Sequence, residues 1–358
     1  MITIVGWMIN RMVAIRFFGI LLGITIFVLS LELVANAKDL QLLAPADSTI
    51  VLRYLAYRAP TVLANYLSIS MLLAMLLTLT ELSYRNEMSA IWAAGLSPFR
   101  LIMMLLPLAF VAGGLLFFLS NTAIPMTTPQ LREWGVGDYG TDKLKLGEKD
   151  PIWMRAGADI LRAERANPDS TRLEKIIIFR RDEEGLLREQ IYAGTAELAN
   201  GRWNLSDVVV YYRDNLEPSK LAALVYSGDM KPAQAGMRSG APEDMSIKEL
   251  SYFIENQGFG IRPVWVYETW VHKRVSILLS GVLMIGLCVP LATRFRRGGG
   301  LGILFAAGIG IGFLFFIVDG ISLTMGELGF VAPWLAAWLP VVAFGALAVA
   351  LTLRAETI

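Results

Sequence analysis

The chain holds 358 residues, 55% of them hydrophobic and only 18% charged, with a formal net charge of +1. A mean hydropathy of +0.53 excludes an ordinary soluble globule, and the balanced charge excludes a dedicated nucleic-acid or other polyanion binder. One cysteine, Cys288, and one histidine, His272, exclude an intrachain disulfide, a cysteine zinc cluster and a histidine-pair metal site.

The first twelve residues, MITIVGWMINRM, are amphipathic and fit a helix lying along a membrane interface. An apolar run follows at 14–35. It ends in Glu32, Asn36 and Lys38 rather than a small-residue cleavage site, so it reads as a retained span. Further runs at 59–79, 99–119, 275–292, 301–318 and 331–353 come near the ~20 apolar residues that cross ~30 Å of hydrocarbon. Arg11, Arg16, Arg85, Arg100, Arg294, Arg296, Arg297 and Arg354 fall at one set of span ends. Positive charge of this kind marks the cytoplasmic side, which places both termini inside. His272, Lys273 and Arg274 sit before the fourth run, at the other side, as a helix-end anchor.

Between the second and third runs, TELSYRNEMSAIWAAGLSPFRL reads as a helix over 81–95. Thr80 is placed to cap it, Glu81 and Arg85 have i, i+4 spacing, and Gly95 suits the C′ position. Ser97 then caps the third span, with Pro98 in its first turn. Such a helix is either a solvated surface helix or a docking helix. In the second reading it presents Met88, Ile91 and Trp92, beside Arg85 and Glu87, to a partner's groove.

Residues 125–273 are polar and strand-patterned, and by the positive-charge count they lie outside. KIIIFRRDEEGLLREQIYAGTAEL reads as two strands around a turn at 182–185, and Asn200-Gly201 is a strong hairpin signal. An antiparallel β domain is predicted over about 152–225. A short helix follows at about 246–257, capped by Ser246 with Glu249 at the capping-box position and Gly258 beyond its end. The expected units are therefore an N-terminal membrane half (1–124), the β insert (125–273) and a C-terminal membrane half (274–358). In the fifth run Gly308 and Gly312 form a small-xxx-small pair, and Asp319 closes the run.

Three stretches carry a family resemblance. RNEMSAIWAAGLSPFRLI resembles the cytoplasmic helix of the LptF/LptG lipopolysaccharide-export permeases, with Arg85, Glu87, Ala93, Gly95 and Ser97 on the family pattern. SYFIENQGFGIRPVWVYETWVHKRVSILLSGVLMIGLCVPL and GFLFFIVDGI are similar to its later segments. The order of three spans, a β domain and three spans covers the whole chain, and its close resembles the LptG branch more than LptF. The resemblance implies six transmembrane helices and a periplasmic antiparallel β-jellyroll between helices 3 and 4. It also implies an inner-membrane site in a Gram-negative bacterium and an LptF-type sister permease. An LptB-type ATPase dimer, LptC and LptA-type periplasmic proteins and lipopolysaccharide as cargo complete the set.

Roles implied for single residues follow. Glu87, with Arg85, Met88, Ile91, Trp92 and Gly95, would meet the ATPase, Glu87 through a charge-assisted hydrogen bond. Lys38, Arg53 and Arg58 are candidates for the phosphorylated head group. Lys38 stands where the family has a run of basic residues, and here Asp39 follows it. Phe17, Leu21, Glu32, Gly308, Gly312, Phe316 and Asp319 are candidates for gate and cavity. The bland alternatives are an exposed helix carboxylate at Glu87, interfacial charges at 38, 53 and 58, and lipid-facing or intrasubunit packing for the rest. No catalytic or metal site is expected. The chain has no G-x-x-x-x-G-K-[ST], so ATP and magnesium are expected on the partner ATPase, with no cofactor in this chain.

Four other readings compete. One is an LptF-type sister subunit of the same complex. A lipoprotein-releasing permease usually has four spans. A non-transporting anchor for a β scaffold would ignore Glu87→Arg. An intramembrane lipid enzyme would need a catalytic cluster, which the lone His272 and isolated Asp319 do not make.

Overall fold

The computed structural model describes residues 2–43, 49–137, 152–156, 159–165, 171–182, 186–199, 202–213, 215–227, 241–255, 262–294 and 301–356. Among these, six helices are long and apolar enough to cross a membrane: Ile4–Ala35, Thr49–Tyr84, Pro98–Arg132, Val264–Ala292, Gly302–Glu327 and Pro333–Glu356, here spans 1 to 6. The chain divides into two compact units. The membrane unit comprises 1–139, 244–247 and 268–358, and the second comprises 140–243 and 248–267. The second unit is narrower at both ends than the polar stretch 125–273.

The helices outrun their apolar stretches. The first is continuous from Ile2 to Ala35, so the expected interfacial helix is instead the opening of span 1. Span 2 begins at Thr49 rather than near residue 59. Arg53 and Arg58 had masked its first turns, which are held by a cluster of Leu40, Ile50, Tyr54, Leu131 and Val136. Span 3 passes through a π-helical turn at Leu119–Ala123 and continues to Trp134. Span 4 begins at Val264, where Glu268, Lys273 and Arg274 had hidden the helix from hydropathy.

Span 4 is the most enclosed, with 72% of its most apolar window buried, while spans 1 and 5 are the least, at 22% each. Spans 3 and 4 cross backbone to backbone. A Cβ on Gly113 would stand 2.1 Å from the Leu278 carbonyl oxygen, and one on Gly281 would stand 2.4 Å from that of Ala109. Spans 1 and 5 each pack on span 2, and span 5 also rests on spans 4 and 6. Two ends of this bundle are distinguished below: the terminal end, with the chain termini and the connection between spans 2 and 3, and the insertion end, where the chain leaves for the second unit.

The second unit carries one antiparallel sheet in sequential order: β1 (Ile152–Ala156), β2 (Asp159–Arg165), β3 (Arg172–Arg181), β4 (Leu187–Ala199), β5 (Arg202–Tyr212) and β6 (Asn215–Tyr226). Ala199 pairs with Arg202, so the β4–β5 reversal falls where the Asn-Gly signal stood; Asn200 and Gly201 themselves lie outside the described residues, as do 183–185 and Gly258. Leu173, Ile176 and Ile178 on β3 and Trp203, Leu205, Val208 and Val210 on β5 turn inward on alternate positions, with a one-residue break at Lys175 and at Asp207, both at positive φ. The sheet curls until its separated strands meet. Tyr226, at the end of β6, donates its hydroxyl proton to Asp159 at the start of β2 at 2.8 Å. Arg180 stands 3.7 Å from the same carboxylate and also pairs with Glu189. Over the described strands the insert is thus the expected antiparallel β domain between spans 3 and 4, a curled sheet with its strands in sequential order. In the same unit Phe253, on the helix Ile247–Glu255, stacks on Tyr267 with ring centroids 4.8 Å apart.

Candidate functional site

The connection between spans 2 and 3 is shorter than its composition suggests. Span 2 runs on to Tyr84, with Thr80 inside it rather than capping a new helix, and the connection helix covers only Glu87–Ala93. Two left-handed residues bracket it, Asn86 at φ 59° and Gly95 at φ 81°. Asn tolerates this conformation through its short polar side chain, and Gly has no Cβ to clash. Ser97 caps span 3, its hydroxyl accepting from the Arg100 amide at 3.3 Å.

Met88 and Ile91 were expected to face outward as docking anchors. They are buried in the core of the spans, and Trp92 is half-buried against it. A short helix pressed between two spans has one apolar face, and the spans take it. The outward face is small and polar: Arg85, Ser89, Ala90 and Ala93, with Glu87 half-exposed at its edge.

At the root of this helix Glu81 holds two arginines. Its Oε1 accepts from Arg85 Nη2 at 2.7 Å, and its Oε2 accepts from Arg16 of span 1. Nothing in the local pattern marks Arg16 as its partner. A signal was nevertheless present, because Glu81 is the one carboxylate in span 2 and Arg16 the one charge between residues 12 and 31. A charge at that depth needs a partner or water.

At the insertion end Arg58 is committed. Its Nε and Nη2 donate to the two oxygens of Glu32 at 2.8 and 2.9 Å. The pair joins span 1 to span 2 and cancels two charges that had been assigned to separate roles. Asn36 extends it by donating to the Glu32 carbonyl at 2.9 Å. Lys38 and Arg53 are exposed.

The gate candidates divide by helix face. Phe17 and Leu21 are buried against span 2, while Phe18, Leu22, Ile26 and Phe27 are the residues that span 1 leaves bare. Gly308 and Gly312 also face span 2. A Cβ on Gly308 would come within 2.3 Å of Leu76, and one on Gly312 within 2.2 Å of Leu72. Both glycines therefore serve packing inside one subunit. Phe316 is partly buried on the same core, and Phe313, Leu314, Ile317 and Ile321 form the bare face of span 5. Asp319 is paired with Lys273 of span 4. An apolar helix gives no sequence period by which to choose between these faces.

Six spans with a sheet inserted after the third, a short polar-faced helix after the second, and two peripheral spans with bare apolar faces make an arrangement that comparison with known proteins can test. A profile of the lipopolysaccharide export system permease LptF/LptG family matches residues 7–354. The lipopolysaccharide export system permease protein LptG of Haemophilus influenzae is 22% identical over 266 residues, 73% of this chain and 74% of that protein. The protein of the same name from Escherichia coli K12 is 21% identical over 307 residues, 84% of each chain. With the match running from the first span to the last, the chain belongs to the LptF/LptG family of lipopolysaccharide export permeases.

Proposed function

We propose that the chain is the LptG-type permease subunit of an ABC transporter that lifts lipopolysaccharide from the inner membrane of a Gram-negative bacterium. The observation that carries this reading is the family match across both membrane halves and the inserted sheet, with relatives named LptG on more than two thirds of the chain. An LptF-type sister subunit would complete the cavity. ATP and magnesium would be held by an LptB-type dimer at the terminal end. The sheet would stand in the periplasm and continue into LptC and LptA-type proteins.

The geometry supports a division of labour. The connection helix offers a flat outward face with Glu87 at its rim, which suits a groove on the ATPase and a charge-assisted bond to a basic side chain there. The bare faces of spans 1 and 5 suit acyl chains or the opposite subunit, since neither requires a polar partner. Gly19 and Gly23 lie exposed on span 1 with nothing within 4 Å of an added Cβ, so another helix can approach closely there.

The test is reconstitution with the sister permease and ATPase in proteoliposomes loaded with lipopolysaccharide. ATP-dependent release to a periplasmic acceptor is expected, and Glu87→Arg should abolish it along with ATPase binding. Release that ignores ATP, or an ATPase that binds Glu87→Arg as well as the wild type, overturns the reading.

A further inference from the structure

We propose that Glu81 is the joint through which movement of the connection helix reaches span 1, and that Arg85 sets how firmly the joint holds. This rests on the coupling reading above. Three observations carry it. Glu81 gives one oxygen to each of two arginines, one in span 1 and one just past the end of span 2. Arg16 has little other compensation, because its Nη1 is buried without a hydrogen-bond partner. Arg85, by contrast, is 61% exposed and immediately precedes Asn86, the left-handed residue on which the connection helix turns.

A carboxylate shared between two cations binds each less firmly than it would bind one alone. If docking supplies an acidic group that claims Arg85, both oxygens of Glu81 fall to Arg16 and span 1 is drawn against span 2. When docking relaxes, Arg85 returns and the hold on Arg16 loosens. These are two discrete arrangements of a few side chains, which is what a transmitted motion requires. The remaining polar ties of span 1 do not compete at this point. Asn10 donates to the Met104 carbonyl of span 3 at 2.7 Å, and Glu32 pairs with Arg58 at the opposite end.

The experiment uses the full complex with spin labels on Arg11→Cys and Tyr84→Cys in a Cys288→Ala background. ATP hydrolysis, lipopolysaccharide released per ATP, and the label distance before and after vanadate trapping are all read. Glu81→Gln should hydrolyse ATP near the wild-type rate but release about ten-fold less lipid per ATP, and its label distance should no longer respond to trapping. Arg85→Gln should show the trapped distance without nucleotide. The exchanged pair Arg16→Glu with Glu81→Arg, which keeps the tie but leaves Arg85 no carboxylate to share at position 81, should hold the trapped distance throughout and leave release low.

Wild-type release and a normal label response in Glu81→Gln overturn the joint. So does an exchanged pair whose label distance still responds to trapping, since the share with Arg85 would then be idle. If the wild-type complex itself hydrolyses ATP without releasing lipid, the permease reading fails first, and the joint falls with it.

Discussion

Lys273 of span 4 donates to both carboxylate oxygens of Asp319 on span 5, at 2.5 and 2.7 Å. Residues 302–318 of span 5 have no polar side chain, so this pair is the first polar hold along that helix. Trp270, nearly a turn earlier on span 4, donates to Glu327 at 2.7 Å and makes a second hold. Ser322 adds a third, donating to the Ala336 carbonyl of span 6 at 2.7 Å, and the stretch before Asp319 is kept by van der Waals packing, for which lipid tails are a fair substitute.

Breaking that pair on one side should cost more than removing it altogether. The side chains keep only 15% and 19% of their exposure, so a lone survivor is poorly solvated. Asp319→Asn or Lys273→Met should each destabilise the purified chain by roughly 1–3 kcal/mol. The double variant Lys273→Met with Asp319→Leu should lose less than the sum. Thermal unfolding in detergent reads both, and strictly additive losses would count against an interacting pair.

The close glycines predict a ranking. An added methyl at Gly113 or Gly281 meets a backbone carbonyl, which cannot yield without moving a span. At Gly308 and Gly312 it meets the ends of leucine side chains, which can rotate. Gly113→Ala and Gly281→Ala should therefore lower the melting temperature more than Gly308→Ala and Gly312→Ala. Equal effects at all four sites would show that spans 3 and 4 cross more loosely than this.

The closure of the sheet should carry a pH signature. The Tyr226 hydroxyl is held above its ordinary value of 10.0, chiefly by burial and then by its bond to Asp159, with Arg180 opposing. Folding thus favours the protonated phenol. The stability this gives is complete below pH 10 and is lost as pH rises through the elevated value. Tyr226→Phe should be less stable at neutral pH, and its stability should fall less between about pH 9 and about pH 12. Urea unfolding followed by near-ultraviolet dichroism would show it. Parallel pH profiles would mean that Tyr226 titrates freely.

The basic residues near the insertion end should separate by role. Lys38 and Arg53 are exposed and open to a phosphate, whereas Arg58 is paired with Glu32. Lys38→Gln and Arg53→Gln should weaken lipopolysaccharide photocrosslinking without altering unfolding. Arg58→Gln should do the reverse, lowering stability by about 1 kcal/mol or more through the stranded carboxylate. A crosslinking loss confined to Arg58→Gln would return that residue to the head-group site.

What the sequence disclosed follows from what each signal measures. Hydropathy found the spans because a run of apolar residues is itself the requirement for crossing. It cut spans 2 and 4 short because Arg58, Lys273 and Arg274 are satisfied by partners distant in sequence: Glu32, Asp319 and the Met245 carbonyl. Strand alternation and the Asn-Gly turn found the sheet, since both are local. The contact of Tyr226 with Asp159 joins residues too far apart for any local pattern to register. The faces of spans 1 and 5 were illegible for another reason. Phe17 and Phe18 are equally apolar, and only the position of span 2 decides which of them is covered. Met88 and Ile91 gave an amphipathic signal whose direction the sequence does not carry.

The wide turn at Leu119–Ala123 has an implication for insertions and deletions. A π-helical turn holds one residue more than a regular helix would at the same place. Deleting Thr122 would therefore close the wide turn into a regular one and leave Ile124–Trp134 near its present register, whereas deleting a residue from the regular helix before it would rotate everything beyond by about 100° and draw it back by about 1.5 Å. Only the second deletion would swing Arg132 away from Asp244, its partner at 2.8 Å, while the first would reseat Asn121, which accepts from the Ile247 amide at 2.7 Å. A homologue whose third crossing is uninterrupted can keep the Arg132 mooring, so the supernumerary residue and the Asn121 fastening should be gained or lost as a set.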